Sequence, residues 1–137
     1  MTKIVVTGGR DYPDRAHVFR VLDSIHMAHP ITLVIHGACG WDRDKFNGAN
    51  KMQGADRWAD EWANARGVAF HRVAARWSKL GGQAGPIRNG EMLDMKPDMV
   101  VSFPGGAGTG NCIRQAKGRG IRVESHTVTE SRGTSDG

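Results

Sequence analysis

Three short apolar runs give way at once to glycine: Ile4-Val5-Val6 to Thr7-Gly8-Gly9-Arg10, Ile31–Ile35 to His36-Gly37-Ala38-Cys39-Gly40, and Met99–Phe103 to Pro104-Gly105-Gly106-Ala107-Gly108-Thr109-Gly110. Strands buried on both faces of a parallel sheet read as such runs, and a glycine turn is a common way for them to hand over to a helix. The segments between carry a helical period. Asp14 to Met27 spaces Val18, Val21, Leu22 and Ile25 along one face, with Asp14 at the N-cap position. Gly54-Ala55-Asp56 opens a helix to Arg66, with Ala55, Trp58, Ala59, Trp62 and Ala63 on one face and Gly67 as its stop. Val68 to Val73 supplies a further strand, Ile87 to Met95 a helix between Pro86 and Pro97, Cys112 to Lys117 a short helix, and Ile121-Arg122-Val123 a fifth strand. Trp41 to Gln53 and Ala74 to Gly85 read as irregular excursions. The alternation predicts an α/β fold: a Rossmann-like three-layer sandwich, with a mostly parallel sheet of about five strands and helices on both faces.

The chain of 137 residues is the size of one domain, expected to run from residue 1 to 126. The Ser-, Thr- and Gly-rich stretch 127–137 is expected to be a disordered tail. No apolar run approaches the ~20 residues of a membrane span, and Met1-Thr2-Lys3 leads straight into a strand, so a cytoplasmic location is expected. The two cysteines, Cys39 and Cys112, read as free thiols, and no ligand spacing calls for a metal or other cofactor. A net charge of +5 favours anionic partners. Because no block of like charge stands out, it does not choose between a small phosphorylated ligand and a nucleic acid.

Ligands of open α/β sheets bind outside the carboxyl ends of the strands, where this chain concentrates its glycines. Glycine admits a close approach of backbone to phosphate, and the helix that follows offers unpaired N–H groups. The loop Gly105 to Gly110 is the best anion site on this reading. No dinucleotide or P-loop template fits. Arg10 and Arg88 stand beside glycine turns and suit phosphate, while Asp56 suits a ribose hydroxyl, a general base, or simply a charge at a helix N-terminus. His36 reads equally as a ligand-orienting or a structural histidine. Trp77, in a polar stretch, suits base stacking, whereas Trp58 and Trp62 read as core or dimer-interface residues.

In their order along the chain, Thr7-Gly8-Gly9-Arg10, His36-Gly37-Ala38 with Gly54-Ala55-Asp56, Ala84-Gly85-Pro86-Ile87-Arg88-Asn89 and Phe103-Pro104-Gly105-Gly106-Ala107-Gly108-Thr109 resemble the SLOG superfamily and its small YspA-related proteins of bacteria and phages. Relatives there include the Lonely Guy phosphoribohydrolases, the DNA-processing protein DprA and nucleotide-sensing domains. The resemblance implies phosphate-cradling roles for Gly105, Gly106, Gly108 and Thr109, and with these Gly8, Gly9, Arg10, His36, Gly37, Trp77, Asn89 and Pro104 make up the expected ligand site. It also implies a phosphate role for Arg88 and a homodimer. The Lonely Guy pattern continues as PGGxGTxxE, whose glutamate serves glycosidic cleavage, and Cys112 stands at that position here. Cleavage passes through an oxocarbenium-like state that needs a carboxylate; Asp56 is the nominee, and Arg88 is expected to stand beside it as the second catalytic residue. Hydrolysis of a nucleotide or nucleotide-sugar, binding of it without turnover, and DprA-like binding of single-stranded DNA are thus the three functions to weigh.

Overall fold

The structure, a computed structural model, describes residues 1–39 and 53–126, the side chains of Trp77 and Ser78 excepted. Five strands form one sheet: β1 (Thr2–Thr7), β2 (Ile31–His36), β3 (Ala69–Arg72), β4 (Met99–Ser102) and β5 (Arg122–Ser125). Every neighbouring pair is parallel, in the order β3-β2-β1-β4-β5. The order reverses between β1 and β4, so the crossovers leave in opposite directions and a crevice opens above that pair.

The helices are α1 (Arg15–Ala28), α2 (Ala55–Arg66), the single turn α3 (Trp77–Leu80), α4 (Ala84–Asp94) and α5 (Ala107–Gly118). Successive side chains of a strand face opposite sides, so one apolar run feeds two cores. Ile4, Val6, Val34, Met99 and Val101 pack with Val18, Leu22, Ala59 and Trp62 from α1 and α2. Val5, Ile35 and Val100 pack with Met92, Leu93, Cys112 and Ala116 from α4 and α5. The architecture is the expected Rossmann-like sandwich, with its sheet parallel throughout. No helix among the described residues is long and apolar enough to cross a membrane.

The end signals act as their chemistry predicts. Asp14 caps α1 by accepting from the backbone N–H of His17 at 3.0 Å, and Gly67 ends α2 in the left-handed region at φ 69°. Two segments differ from expectation. Ala74 to Gly85 is not irregular throughout: it contains α3 and a 3₁₀ turn over Gly81–Gln83 that runs into α4. Helix α4 therefore starts at Ala84, and Pro86 is its third residue, where a missing N–H leaves no intrahelical bond unmade. Helix α5 starts at Ala107, five residues before the expected Cys112. Tertiary bonds overcome the poor propensity of its glycines, since the Asn89 amide donates to the Gly108 carbonyl and to Asn111 Oδ1, both at 3.1 Å. The expected tail at 127–137 and the excursion at Trp41 to Gln53, Gln53 apart, lie outside the described residues.

Trp62 is fully buried, and its indole N–H donates to Asp23 Oδ1 at 2.8 Å, tying α2 to α1. Of the two readings for this residue, core or dimer interface, the burial makes Trp62 a core residue. Trp58 is half-buried and donates to the Tyr12 carbonyl at 2.7 Å. Asp23 also accepts two bonds from Arg66, which hold its carboxyl at about 2, below the ordinary 3.8. A depressed carboxyl contributes stability that is complete above its unfolded value and disappears as pH falls through its folded value. Asp23→Asn should therefore be less stable than wild type at neutral pH by up to about 1 kcal/mol. That difference in urea midpoint should vanish as pH falls from about 4 to about 2.

Candidate active site

The crevice above β1 and β4 is an open cleft of about 610 Å³. Its floor is the pair of turns that leave those strands, and the turns are bonded together: the Gly9 N–H donates to the Pro104 carbonyl at 2.8 Å. The Gly9 carbonyl in turn accepts from Ala55 N–H at 3.1 Å and so fixes the start of α2. The contact is tight because there are no side chains in it. A Cβ on Gly8 would come within 2.5 Å of Ala55 Cβ, and one on Gly105 within 2.8 Å of Gly9 N and onto Thr109 Oγ1. Gly8, Gly9 and Gly105 thus bring three backbone segments together, and their N–H groups are not all free for a ligand.

Backbone donors without a partner among the described residues lie at the start of α5. Gly106 is its N-cap, with no side-chain hydrogen bond to cap it, and the first bond of the helix runs from Gly110 N–H to Gly106 O. The N–H groups of Ala107, Gly108 and Thr109 precede that bond and, among the described residues, have no acceptor. A Cβ at Gly106 or Gly108 would meet nothing within 4 Å, so this end of the helix faces open space. Unpaired N–H groups at the positive end of a helix dipole are a ready-made site for phosphate.

Arg88 and Asp56 reach the cleft from α4 and α2, and both are buried. The guanidinium rests on the turn after β2, where Nη1 donates to the Gly37 carbonyl at 2.7 Å. Nε donates to Asn89 Oδ1 at 3.0 Å, so the Asn89 amide links Arg88 to Gly108. Among the described residues Nη2 has no acceptor and is left for the cleft. On the other side of Gly37, Asp56 Oδ2 accepts from Cys39 N–H at 3.3 Å. A Cβ on Gly37 would lie 2.8 Å from Arg88 Cζ and 3.1 Å from Asp56 Oδ2, so glycine is what allows the cation and the carboxylate to sit so near one another.

Arg10 and Thr109 also line the cleft, Thr109 tucked beneath Gly105. His36 does not reach it. It is fully buried below the turn, bonded to Asp60 and to Ala38. The side chain of Trp77 lies outside the described residues. The sequence pattern does not single out Asp11, Tyr12 or Cys39, which the structure places on the cleft wall. No motif marks them, and only the folding of both turns against α2 puts them there.

Two sequence comparisons bear on this cleft. The profile of the YspA, cpYpsA-related SLOG family matches residues 2–45, which carry β1, its glycine turn and β2. The Gene 61 protein of Mycobacterium phage D29 is 34% identical over 133 residues, covering 90% of this chain and 94% of that protein. The chain belongs to the YspA, cpYpsA-related SLOG family. No solved structure matches it.

Cys112 stands where the Lonely Guy pattern has its glutamate. Cys112 is fully buried on the inner face of α5, among Val5, Ile35 and Val100. Burial pushes its thiol up to about 11, against a hydrogen bond with Thr7 that pulls the other way, so it stays protonated at neutral pH. It supplies neither base nor nucleophile.

The glycines divide by what a methyl group would strike. Gly37→Ala and Gly105→Ala should each lose about 1–3 kcal/mol in urea denaturation, the range of an overpacked site. Gly108→Ala fills open space within a helix and should be neutral or gain up to about 1 kcal/mol.

Proposed function

We propose that this protein binds a nucleoside phosphate or nucleotide-sugar in the cleft and hydrolyses its N-glycosidic bond. The observation that carries the reading is the convergence of three chemically distinct groups on one cleft: the uncapped start of α5, the Arg88 guanidinium and the Asp56 carboxylate. The first two suit a phosphate. Helix N–H groups and a held guanidinium donate without having to reorganise, and Arg88 is already fixed by Gly37 and Asn89. Family membership supports a nucleotide-related role at that level and leaves the reaction to the site itself.

Asp56 provides the remaining chemistry. As the bond from C1′ to the base breaks, its electron pair leaves with the base and the sugar becomes positively charged. A carboxylate beside it stabilises that charge and takes a proton from the attacking water. The products are the free base, protonated by solvent, and a phosphorylated sugar with a hydroxyl at C1′.

A second reading has its own support. With Cys112 where the Lonely Guy pattern has glutamate, and with Asp56 Oδ2 already accepting from Cys39 N–H, the site has fewer carboxylate oxygens at its disposal than those enzymes. Binding without turnover, as in a sensor or sequestering module, follows from that. Binding of single-stranded DNA gains less, because Arg15, Arg57, Arg66, Arg72, Arg76 and Arg119 each meet a carboxylate and are not laid out as a bare basic track.

A thermal-shift panel of nucleoside mono-, di- and triphosphates, ADP-ribose and NAD, followed by chromatography for free base, tests the first reading against the second. A ligand at 100 times its Kd should add about 2.7 kcal/mol to stability. Arg88→Ala should weaken its binding by about tenfold or more. Asp56→Asn should bind but release no base. Stabilisation without release by the wild-type protein would leave the sensor reading, and a panel without any stabilising compound would sink both.

A further inference from the structure

The turn after β2 on which Arg88 and Asp56 rest is held in an unfavourable shape. Ala38, at its centre, has φ 60°. For a residue with a Cβ this left-handed conformation is unfavourable and persists only where the surroundings enforce it. The enforcing contact is to a side chain two residues earlier: the Ala38 N–H donates to His36 Nδ1 at 3.0 Å. An N–H can only donate, so Nδ1 must be the bare nitrogen and the ring proton must sit on Nε2. That proton meets Asp60 Oδ2 at 2.7 Å.

Asp60 is built to receive it. Arg72 donates to both of its oxygens, at 2.9 and 3.1 Å, and Asn64 donates to Oδ1 at 3.1 Å. Burial by itself would raise the carboxyl, but the bonds from Arg72 and His36 outweigh it and hold it below the usual range, an acceptor at neutral pH. Both neighbours of the ring therefore require one and the same tautomer. The ring itself is wholly buried and cannot touch a ligand in the cleft.

We infer that His36 is a positioning residue: as the Nε2–H tautomer held by Asp60, it fixes Ala38 in the left-handed conformation and thereby aims the Gly37 carbonyl at Arg88 and the Cys39 N–H at Asp56. The inference rests on the proposed function only for what Arg88 and Asp56 do; their placement by His36 is a property of the unliganded protein. It also explains why a histidine ends a strand whose other inward residues are aliphatic. A flat ring carries nitrogens on two edges, one turned to its own backbone and one to α2.

Two substitutions separate the ring's edges. In His36→Asn, Oδ1 takes the place of Nδ1 and keeps an acceptor for Ala38 while losing Asp60. In His36→Gln, the amide reaches Asp60 but offers nothing to Ala38. The Arg88 Nε–H resonance in a ¹H–¹⁵N spectrum reports the placement with no ligand present. It should keep its wild-type position in His36→Asn and shift or broaden in His36→Gln. Ala38→Gly, which removes the cost of the left-handed backbone, should restore it in the double variant His36→Gln/Ala38→Gly.

Binding of inorganic phosphate, by titration calorimetry, should follow the same order, with about a tenfold loss in His36→Gln. Equal disturbance of the Arg88 signal by both substitutions, or none by His36→Gln, would overturn the inference, as would lack of restoration by Ala38→Gly. Should His36→Gln not fold, the wild-type imidazole ¹⁵N shifts decide the matter: a proton on Nδ1 excludes the arrangement, and an unprotonated Nδ1 beside a protonated Nε2 is the expected result. Wild-type protein that binds no phosphate but shows the expected Arg88 pattern would count against the nucleotide reading and leave the positioning role of His36 standing.

Discussion

Parallel pairing of β1 with β4, carried past the sheet by the bond from Gly9 N–H to Pro104 O, is the constraint from which the cleft follows. Sequential strands of the chain run outward to one edge through β2 and β3, and the connection to β4 returns to the other side of β1. The two turns at this crossing leave in opposite directions, and the space between them has no helix of its own to fill it. In a sheet without the order reversal, each turn would be covered by the next crossover. Gly8 and Gly105 then let the turns, α2 and the start of α5 close to contact distance, so that their N-terminal ends point toward one volume. A fold rule produces the crevice, and the absence of side chains gives it its polar backbone lining.

Around that volume the charged groups are fixed before any ligand arrives. Arg88 spends two nitrogens on Gly37 and Asn89, Asp56 accepts from Cys39, and the turn that serves them is anchored through His36 to the Asp60–Arg72 pair on its far side. Two layers of polar contacts thus lie between the cleft and the exposed edge of β3. Buried charges without partners are costly, and these have partners that also set their direction. The consequence is that little conformational freedom is left to the Arg88 and Asp56 side chains.

The strands and the long helices were legible in the sequence because each is set by a local signal: a β-branched run, a period of 3.6, an N-cap aspartate, a stop at Gly67. The start of α5 was not, since glycines at 108 and 110 argue against a helix and the Asn89 amide that stabilises it there comes from a different element. In the same way the segment from Trp77 to Gln83 reads as irregular because Gly81-Gly82 interrupts it before a helical period can build up. The glycine turns, Arg88 and Asp56 were readable as neighbours of a site. The position of His36 was not, because a histidine at a strand end has the same local appearance whether it faces a ligand or a buried aspartate. The partner that decides it, Asp60, was visible as a second acid four residues after Asp56 on the same face of α2, but its pairing with β2 depends on tertiary packing.

The exchange of glutamate for cysteine at position 112 fits the same geometry. That position lies on the inner side of α5, in a core of Val5, Ile35 and Val100, and a carboxylate there would have to be desolvated unless it turned toward the cleft. Cys112 accepts the apolar surroundings and fills the space. Asp56 instead enters from α2, on the opposite side of Gly37 from Arg88, where it has a backbone N–H to accept from and solvent within reach. A carboxylate in that place lies beside the Arg88 guanidinium rather than on α5. The placement of both charges thus depends on the turn after β2, and through it on the conformation that His36 imposes on Ala38.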